Sequence, residues 1–321
     1  GETTRDTTPT LSGTGNPGDT VTIYNGTDKI GDAEVDSNGN WTWTPDTPLA
    51  NGTYDITLTV TNKDGAGNES APSQPVTITI DTDPPATPAA PVITDSVSQI
   101  TGPVADGETT NDPRPVLSGT GTANDVVIIY DSINGQPATE VGRVTVDSNG
   151  NWSWRPDASI DEGSHEFTAT ATDEAGNVSA ASPGITITVD TVAPDTPVIS
   201  AVGGKPDGGV TTDTTPGVGG TGPAGETVIV YNNGVELGRV EIGSNGEWSL
   251  DLPTQTDGPL NITVAAVDAA GNVSGLSPVF TVTVDTTAPE IPLINAVSDS
   301  QPTSNVLYTR DGTPTLTGTG E

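Results

Sequence analysis

Acidic residues recur in this chain at a fixed spacing that could hold a metal ion. The motif DxxGN occurs three times, as "DGAGN", "DEAGN" and "DAAGN", and a second Asp follows the first by seventeen residues each time. These pairs are Asp64 and Asp81, Asp173 and Asp190, and Asp268 and Asp285. Loops between strands usually vary in length. A spacing that is kept three times therefore indicates that both Asp residues have a role.

The composition excludes several kinds of chemistry. The 321 residues include 43 Asp and Glu against 9 Lys and Arg, no Cys and a single His, His165. Disulfides and thiolate metal sites are therefore excluded, and a catalytic triad or an imidazole zinc site has almost no material. His165 aligns with Tyr54 and Leu260 in the other repeats, so we interpret it as a packing or surface residue.

The charge also limits the partners. A formal net charge of −34 leaves no basic face for the phosphates of nucleic acid. Apolar runs long enough to cross a membrane do not occur in the sequence, so we predict no membrane insertion.

The chain is a tandem repeat with a period of about 100 residues. "LSGTG" begins at Leu11 and Leu117 and returns in altered form at Val218 and Leu316, and "GNWTW" has counterparts one period apart. We predict domains at 1–82, 83–191 and 192–286, with the first strands of a further repeat at 287–321. Domain 1 lacks the first strand of the pattern, and we expect the chain to be a piece of a longer array.

Short alternating segments separated by turn residues indicate an all-β fold. Seven segments in about 100 residues predict tandem immunoglobulin-like β-sandwich domains, arranged end to end as a monomeric rod. "SNG" between the fourth and fifth segments indicates a tight hairpin. In the second repeat the predicted strands are Pro91–Ser96, Pro115–Gly121, Val126–Tyr130, Val141–Val146, Asn151–Pro156, His165–Thr172 and Ile185–Asp190.

The sandwich topology brings acids of neighbouring domains together. Each strand reverses the direction of the one before, so the DxxGN loop and the end of the last strand lie at opposite ends of one domain. In an end-to-end array, Asp81 then faces Asp173 and Asn177 of the next domain. The same argument places Asp190 opposite Asp268 and Asn272, while Asp285 has no loop to face.

Further acids are expected at these junctions, together with an Asn amide oxygen and backbone carbonyls. One Asp precedes the second strand of each repeat, and two repeats carry another Asp in the loop before it. Proline-rich linkers would stiffen the joints. The candidate metal ligands are Asp6, Asp64, Asn68, Asp81, Asp106, Asp112, Asp173, Asn177, Asp190, Asp207, Asp213, Asp268, Asn272 and Asp285.

Calcium is the cation that such a cluster favours. Two carboxylates ~4 Å apart repel each other by about 4 kcal/mol at an effective dielectric constant near 20. Calcium accepts six to eight oxygen ligands in flexible geometry, whereas magnesium requires a stricter octahedron. The alternative is that Asp and Asn only form turns and that the charge serves solubility.

The Trp residues allow a second interpretation. Trp152 and Trp154 lie two apart on one strand and so share a face, as do Trp41 and Trp43. The third repeat places Leu250 at the second position, which favours core packing. The alternative is a platform on which sugars stack.

The order of "GTG", "SNGNW", "DxAGN" and "DTxxPxxP" resembles the bacterial Ig-like repeats of giant non-fimbrial adhesins exported by type I secretion systems, with the Salmonella adhesin nearest in pattern. This resemblance implies an extracellular rod at the bacterial surface, stiffened by calcium between domains and serving adhesion. Host-surface glycans or receptors are the candidate partners.

Three functions compete at this point. The first is a calcium-stiffened spacer or stalk of a surface adhesin, which is not an enzyme. A carbohydrate-binding module that uses exposed Trp or calcium-held sugar is the second. A glycosidase with paired carboxylates is the weakest of the three, because the acids recur in every repeat without one distinct cleft.

Overall fold

The computed structural model describes residues 1–62, 67–97, 101–297, 300–302, 307–309, 313 and 315–319. The chain divides into two compact units, Gly1–Val192 with Ala269–Asn272, and Ala193–Asp268 with Val273–Glu321. The first unit contains domains 1 and 2. In the ranges described, no helix is long and apolar enough to cross a membrane.

Strands account for the regular structure of the first unit. Domain 1 contains β1 (Glu2–Thr4), β2 (Leu11–Thr14), β3 (Thr20–Asn25), β4 (Asp28–Glu34), β5 (Asn40–Trp43), β6 (Gly52–Thr61) and β7 (Val76–Ile80). Domain 2 contains β8 (Val92–Asp95), β9 (Gly102–Val104), β10 (Thr109–Thr110), β11 (Val116–Thr120), β12 (Val126–Ile133), β13 (Thr139–Thr145), β14 (Asn151–Trp154), β15 (Gly163–Thr172) and β16 (Ile185–Val189).

The second unit repeats the pattern. Domain 3 contains β17 (Val198–Val202), β18 (Gly209–Thr211), β19 (Gly217–Thr221), β20 (Thr227–Asn232), β21 (Val235–Glu241), β22 (Glu247–Asp251), β23 (Gly258–Val267) and β24 (Phe280–Val284). The final strands are β25 (Leu293–Val297), β26 (Ser300–Pro302), β27 (Leu307–Thr309) and β28 (Leu316–Thr319). β25 pairs with β28 as β17 pairs with β19, including the same register shift.

Each domain is a sandwich of two sheets. In domain 2, a five-stranded sheet in the order β10-β16-β15-β12-β13 covers a four-stranded sheet in the order β14-β11-β8-β9. Domains 1 and 3 have the same five-stranded sheet, as β1-β7-β6-β3-β4 and β18-β24-β23-β20-β21. The fold is therefore all-β, with three tandem Ig-like β-sandwich domains, as the sequence predicts.

Two short strands of domain 2 escape the sequence prediction. β9 pairs with β8, and β10 pairs in parallel with the last strand, β16. The same parallel pair joins β1 to β7 and β18 to β24. Each is only two or three residues long, too short to show an alternating pattern.

The Trp residues form the centre of each core, and the glycines of "GTG" make room for them. Trp41, Trp152 and Trp248 are at most 6% exposed. A Cβ atom at Gly13 or Gly119 would lie 2.7 Å from the facing indole ring. Glycine is therefore required there because the ring occupies the space of a side chain.

The predicted hairpin at "SNG" is wrong, since β13 and β14 belong to different sheets. The turn crosses between the sheets, and Asp147 Oδ1 caps it by accepting hydrogen bonds from the backbone N–H groups of Asn149 and Asn151, both at 2.8 Å. A turn of the predicted chemistry instead joins β12 to β13, which pair in antiparallel fashion. There Asn134 and Gly135 have φ values of 50° and 73°, as a type I′ turn requires.

Candidate functional site

The strand-end Asp of domain 1 meets the DxxGN loop of domain 2 within the first unit. Asn177 Nδ2 donates a hydrogen bond to the backbone carbonyl of Asp81 at 2.9 Å and another to Asp173 Oδ2 at 3.0 Å. Asp173 Oδ1 accepts a hydrogen bond from the backbone N–H of Asn177 at 2.8 Å. The topology predicted this meeting, whereas the donor role of the Asn amide was not expected.

Asn272, which belongs to the first unit, makes a hydrogen bond of the same kind as Asn177. Asn272 Nδ2 donates to the backbone carbonyl of Asp190 at 2.8 Å. Asp268 is half-buried and directly follows β23. In domain 1, Asn68 is exposed, and the predicted ligand Asp64 lies outside the described residues.

The carboxylates of the strand-end Asp residues shape the linkers. Asp81 Oδ1 accepts a hydrogen bond from the N–H group two residues later, in Asp83, at 3.0 Å. Asp190 and Asp285 make the equivalent bond to Val192 and Thr287. One oxygen of each carboxylate therefore holds a turn at the start of the linker.

The prediction missed three acids near this joint, Asp83, Asp125 and Glu174, and Asp125 is the most informative of them. It directly precedes β12 and is only 7% exposed. Burial raises the pKa of its carboxyl group, the negative charge of Asp173 raises it further, and a hydrogen bond from Thr122 opposes the shift. The available signal was an acid before the third long strand of every repeat, since Asp19 and Glu226 occupy the equivalent positions.

Five acids line one cleft beside the linker of domains 1 and 2. The cleft has a volume of about 350 Å³, and Pro85 of the linker forms part of its wall. Its acidic residues are Asp81, Asp83, Asp125, Asp173 and Glu174. Oxygen donors of this kind fit a hard cation. Within the described part of the chain, however, no three acids or histidines already form a group that could hold a metal ion.

Asp112 has very different surroundings. It is 1% exposed, and its Oδ2 accepts hydrogen bonds from the backbone N–H of Ser96 at 3.0 Å and the Ser96 hydroxyl at 2.7 Å. Oδ1 accepts from the Arg114 N–H at 2.8 Å and lies 3.6 Å from Arg155 Nη2. Burial alone would raise the pKa of Asp112, but these donors hold it below the ordinary value.

The remaining predicted ligands close loops inside their own domains. Asp6 and Asp213 each cap the residue two positions later, at Thr8 and Thr215. Asp106 Oδ1 accepts a hydrogen bond from Thr186, in the first half of the last strand, at 2.8 Å. Asp207 does the same with Thr281 at 2.7 Å. Asp106 and Asp207 thus do not join the strand-end acids, because each is bound four residues earlier along the strand.

A pair of serines, together with the register of β16 on β15, holds the segment between the two Asp residues of domain 2 in place. After the DxxGN loop of domain 2 the chain runs back along β15, where Ser179 Oγ and Ser182 Oγ accept hydrogen bonds from Ala171 and Ala169, both at 2.9 Å. The same bonds recur in the other domains. Ser70 and Ser73 accept from the N–H groups of Val60 and Leu58, and Ser274 and Ser277 accept from those of Ala266 and Val264. The segment is therefore bonded along its length and cannot gain or lose a residue without losing a bond.

His165 is a buried packing residue, as one of the two interpretations held. It is fully buried and stacks on Phe167 with ring centroids 5.9 Å apart. Its ring nitrogens lie 2.7 Å from Asp131 Oδ2 and 2.9 Å from the Asp161 carbonyl oxygen. The sequence did not show the pairing with Asp131, which lies 34 positions away on another strand, whereas Asp161 lies only four positions away.

Comparison with known families supports the architecture directly. The bacterial Ig-like domain family matches residues 1–82, 87–191 and 197–286. The chain belongs to this family. The bacterial Ig-like repeats account for most of the chain, and the domain boundaries predicted from the sequence differ from the matched ranges by a few residues at the linkers.

Individual relatives are more distant. Exoglucanase B of Cellulomonas fimi is 31% identical over 330 aligned residues, which cover 97% of this chain and 28% of that protein. The chain therefore spans just over a quarter of the length of that relative.

Solved structures show weaker likeness. The FN1–FN3 domains of chicken CNTN1 are 17% identical with a TM-score of 0.39, covering 88% of this chain and 95% of that one. A tetra-tandem repeat in the extending region of a large adhesion protein is 21% identical with a TM-score of 0.25, covering 92% and 75%. The BSP domain of a biofilm-associated protein is 17% identical with a TM-score of 0.23, covering 84% and 57%.

Proposed function

We propose that this chain is a spacer segment of a bacterial surface adhesin whose joints are stiffened by calcium. The observation that carries the proposal is the joint between domains 1 and 2. There Asn177 bonds the end of the preceding domain, and five acids line the adjoining cleft.

The acids of the cleft favour a bound cation. Among the described residues that line the cleft, none is Lys or Arg. Burial and the charge of Asp173 already raise the pKa of Asp125, so the ionised carboxylates repel one another at neutral pH. Calcium suits the cleft better than magnesium because it accepts more oxygens in flexible geometry. A bound ion would neutralise the carboxylates and favour the arrangement in which the linker lies beside domain 2.

The residues of this chain divide the work at the joint. Asn177 donates the direct bond to the Asp81 carbonyl, and Asp81 fixes the linker turn. Asp125 and Asp173 approach from domain 2, and Asp83 approaches from the linker. Asp112 is left out of the proposed site because its oxygens already have donors and a nearby arginine.

The broader assignments remain part of the same proposal. A spacer in an adhesin would lie outside the cell at the bacterial surface and would not be an enzyme. Host glycans or receptors would be bound by other parts of the protein or by the surface of the spacer. Export by a type I system and the nearer likeness to the Salmonella adhesin stay predictions. A relative named as an exoglucanase is also compatible with a spacer, since this chain matches 28% of it.

A carbohydrate-binding module is the second candidate, and the cores weigh against it. Trp41, Trp152 and Trp248 are at most 6% exposed, so they cannot offer a ring face to a sugar. Titration with glycans while Trp fluorescence is recorded tests this alternative, and a saturable change would favour it over the spacer.

The proposal is tested by small-angle scattering of the 321-residue chain with calcium and with chelator, together with calorimetric titration of calcium. We expect saturable binding and a longer, better defined maximum dimension with calcium. The variant Asp125→Asn with Asp173→Asn should lose the heat of one site, whereas Asp157→Asn should retain it, because Asp157 is exposed and adjoins Pro156, which bonds Arg114 at the opposite end of domain 2. An unchanged dimension, or equal heats in both variants, would rule out calcium stiffening at this joint.

A further inference from the structure

The interior of domain 2 contains a charged pair that the other two domains lack. His165 on β15 and Asp131 on β12 are 0% and 3% exposed, and their side chains lie 2.7 Å apart. The equivalent positions hold Tyr54 and Asn25 in domain 1, and Leu260 and Asn232 in domain 3. In those domains the Asn side chain accepts a hydrogen bond from a backbone N–H, of Asp55 and Asn261 respectively.

In domain 2 a different residue, and not Asp131, accepts this backbone hydrogen bond. β12 is longer than its counterparts β3 and β20, and Asn134 in the following turn accepts the corresponding bond, from the Ser164 N–H at 3.1 Å. The carboxylate of Asp131 is therefore directed at the imidazole. Its second oxygen, Oδ1, is buried and has no hydrogen-bond partner.

The ring of His165 faces an acceptor at each nitrogen. Nδ1 faces the Asp131 carboxylate, and Nε2 faces the carbonyl oxygen of Asp161. Only the doubly protonated imidazolium can donate to both. Either neutral tautomer turns one nitrogen lone pair towards an oxygen at 2.7 or 2.9 Å and loses that bond.

The charges around the ring favour the same form. Asp131 from β12 and Asp161 from the loop before β15 are the acids that act on it, while β16 places the uncharged Ile187 opposite. Burial disfavours the charged ring, but the bonds to Asp131 and to the Asp161 carbonyl outweigh it and raise the pKa of His165 above its ordinary 6.5.

We propose that the His165–Asp131 pair makes domain 2 a pH-responsive element of the array, firmly folded in acidic and neutral solution and loosened in alkaline solution, while domains 1 and 3 do not respond. Loss of the imidazolium proton leaves a buried carboxylate without a cation, which is costly. A group whose pKa is higher in the folded state stabilises the fold fully below its unfolded pKa of about 6.5. That contribution is lost as the pH rises through the folded value.

The protonation state can be read directly, because His165 is the single His of the 321 residues. In protein labelled with ¹⁵N-histidine, we expect NMR at pH about 7 to show protons on both ring nitrogens and a titration midpoint above the ordinary 6.5. A singly protonated ring at that pH would overturn the proposal.

The response of each domain is measured in urea, with chelator present so that calcium plays no part. The chain is equilibrated at pH about 6 or 9, labelled with deuterium in a short pulse at one fixed pH, and digested so that peptides report on each domain. The folding equilibrium constant of domain 2 should fall by up to tenfold for each unit by which the folded pKa exceeds the unfolded one. Equal protection of domain 2 at both pH values would contradict the proposal.

A matched variant removes the pair. Asp131→Asn with His165→Leu gives domain 2 the residues of domain 3 at these positions, and its stability should no longer differ between the two pH values. A pH response that persists in this variant would assign the effect to other groups. If the variant fails to fold, the ring signals and the pulse labelling of the natural chain still decide the question.

Discussion

The two ends of domain 2 carry acids that look alike in sequence and behave differently in the structure. At the end beside the linker, Asp125 is buried next to the negative Asp173, and its pKa is raised. At the other end, Asp112 is more deeply buried, yet donors from Ser96 and the charge of Arg155 contribute to a lowered pKa. Burial alone therefore does not decide what a carboxylate does.

The difference follows from the partners that each end supplies. Asp112 has a structural role, because domain 2 itself provides the hydrogen-bond donors and the cation that its carboxylate needs. Five acids line the cleft beside the linker. A cation that neutralises them would have to come from solution. The partners of each acid therefore indicate whether its carboxylate could bind a metal ion.

The largest effect should come from a substitution at Asp112, whose carboxylate already has its partners within domain 2. Asp112→Ala removes the acceptor for Ser96 and Arg114 and leaves Arg155 without its acid. We expect a loss of about 2–3 kcal/mol from the free energy of unfolding of domain 2, the same with calcium or chelator. Urea denaturation measures it. Asp213→Ala is the matched control, which should cost only about 1 kcal/mol because that Asp is exposed and caps a turn.

The serine bonds decide whether the spacing near the cleft depends on a metal. Ser182→Ala leaves the buried N–H of Ala169 without the hydroxyl that accepts its bond, at a cost of about 1–2 kcal/mol. Urea denaturation in chelator should already show the whole loss. A loss that is present only with calcium would mean that the ion, and not the serines, holds this segment.

Asp125→Asn should act in the opposite direction at the cleft. The folded-state pKa of Asp125 is raised, so its ionisation at neutral pH costs stability, and the neutral amide removes that cost. In chelator the melting temperature of domain 2 should rise by about 4 °C, equivalent to about 1 kcal/mol. The further rise on adding calcium should shrink. If calcium still raises the melting temperature by the natural amount, Asp125 is not part of the calcium site.

The smallest effect should come from Asn177, and it distinguishes the contribution of its direct hydrogen bond from that of the proposed calcium ion. Asn177→Asp replaces the amide that donates to the Asp81 carbonyl with another acid, and should cost up to about 1 kcal/mol in chelator. Scattering should show a looser joint without calcium and recovery with it. Gln136→Glu, an equivalent change of amide to acid on the exposed turn between β12 and β13, should change neither. A joint that stays loose in calcium would show that the amide bond dominates.

Much of the fold could be predicted from the sequence because it rests on local patterns. The alternation of apolar residues located all seven long strands of domain 2, and the repeat of "GNW" located the core Trp. β10 was missed because two residues carry no pattern. "SNG" suggested a hairpin because its turn chemistry is right, while the pairing of strands depends on contacts far apart in sequence.

The candidate site was predictable as a place but not in its details. Strand order alone brought Asp81 to the loop of Asp173. The sequence could not show that Asn177 donates to a backbone carbonyl, since Asn offers both donors and an acceptor. We interpreted the constant spacing as a sign of metal ligands, and the hydrogen bonds of Ser179 and Ser182 give a second physical reason for it.

The parallel pairing of β10 with β16 has a mechanical consequence. When the two ends of domain 2 are pulled apart, the tension first loads β8, which pairs with β9 and β11. Once those bonds open, β10 is drawn towards the N-terminal end and β16 towards the C-terminal one. Since the strands are parallel, the load slides one along the other, and their hydrogen bonds must yield together instead of opening one at a time. The same arrangement at β1–β7 and β18–β24 gives each repeat its own clamp against traction.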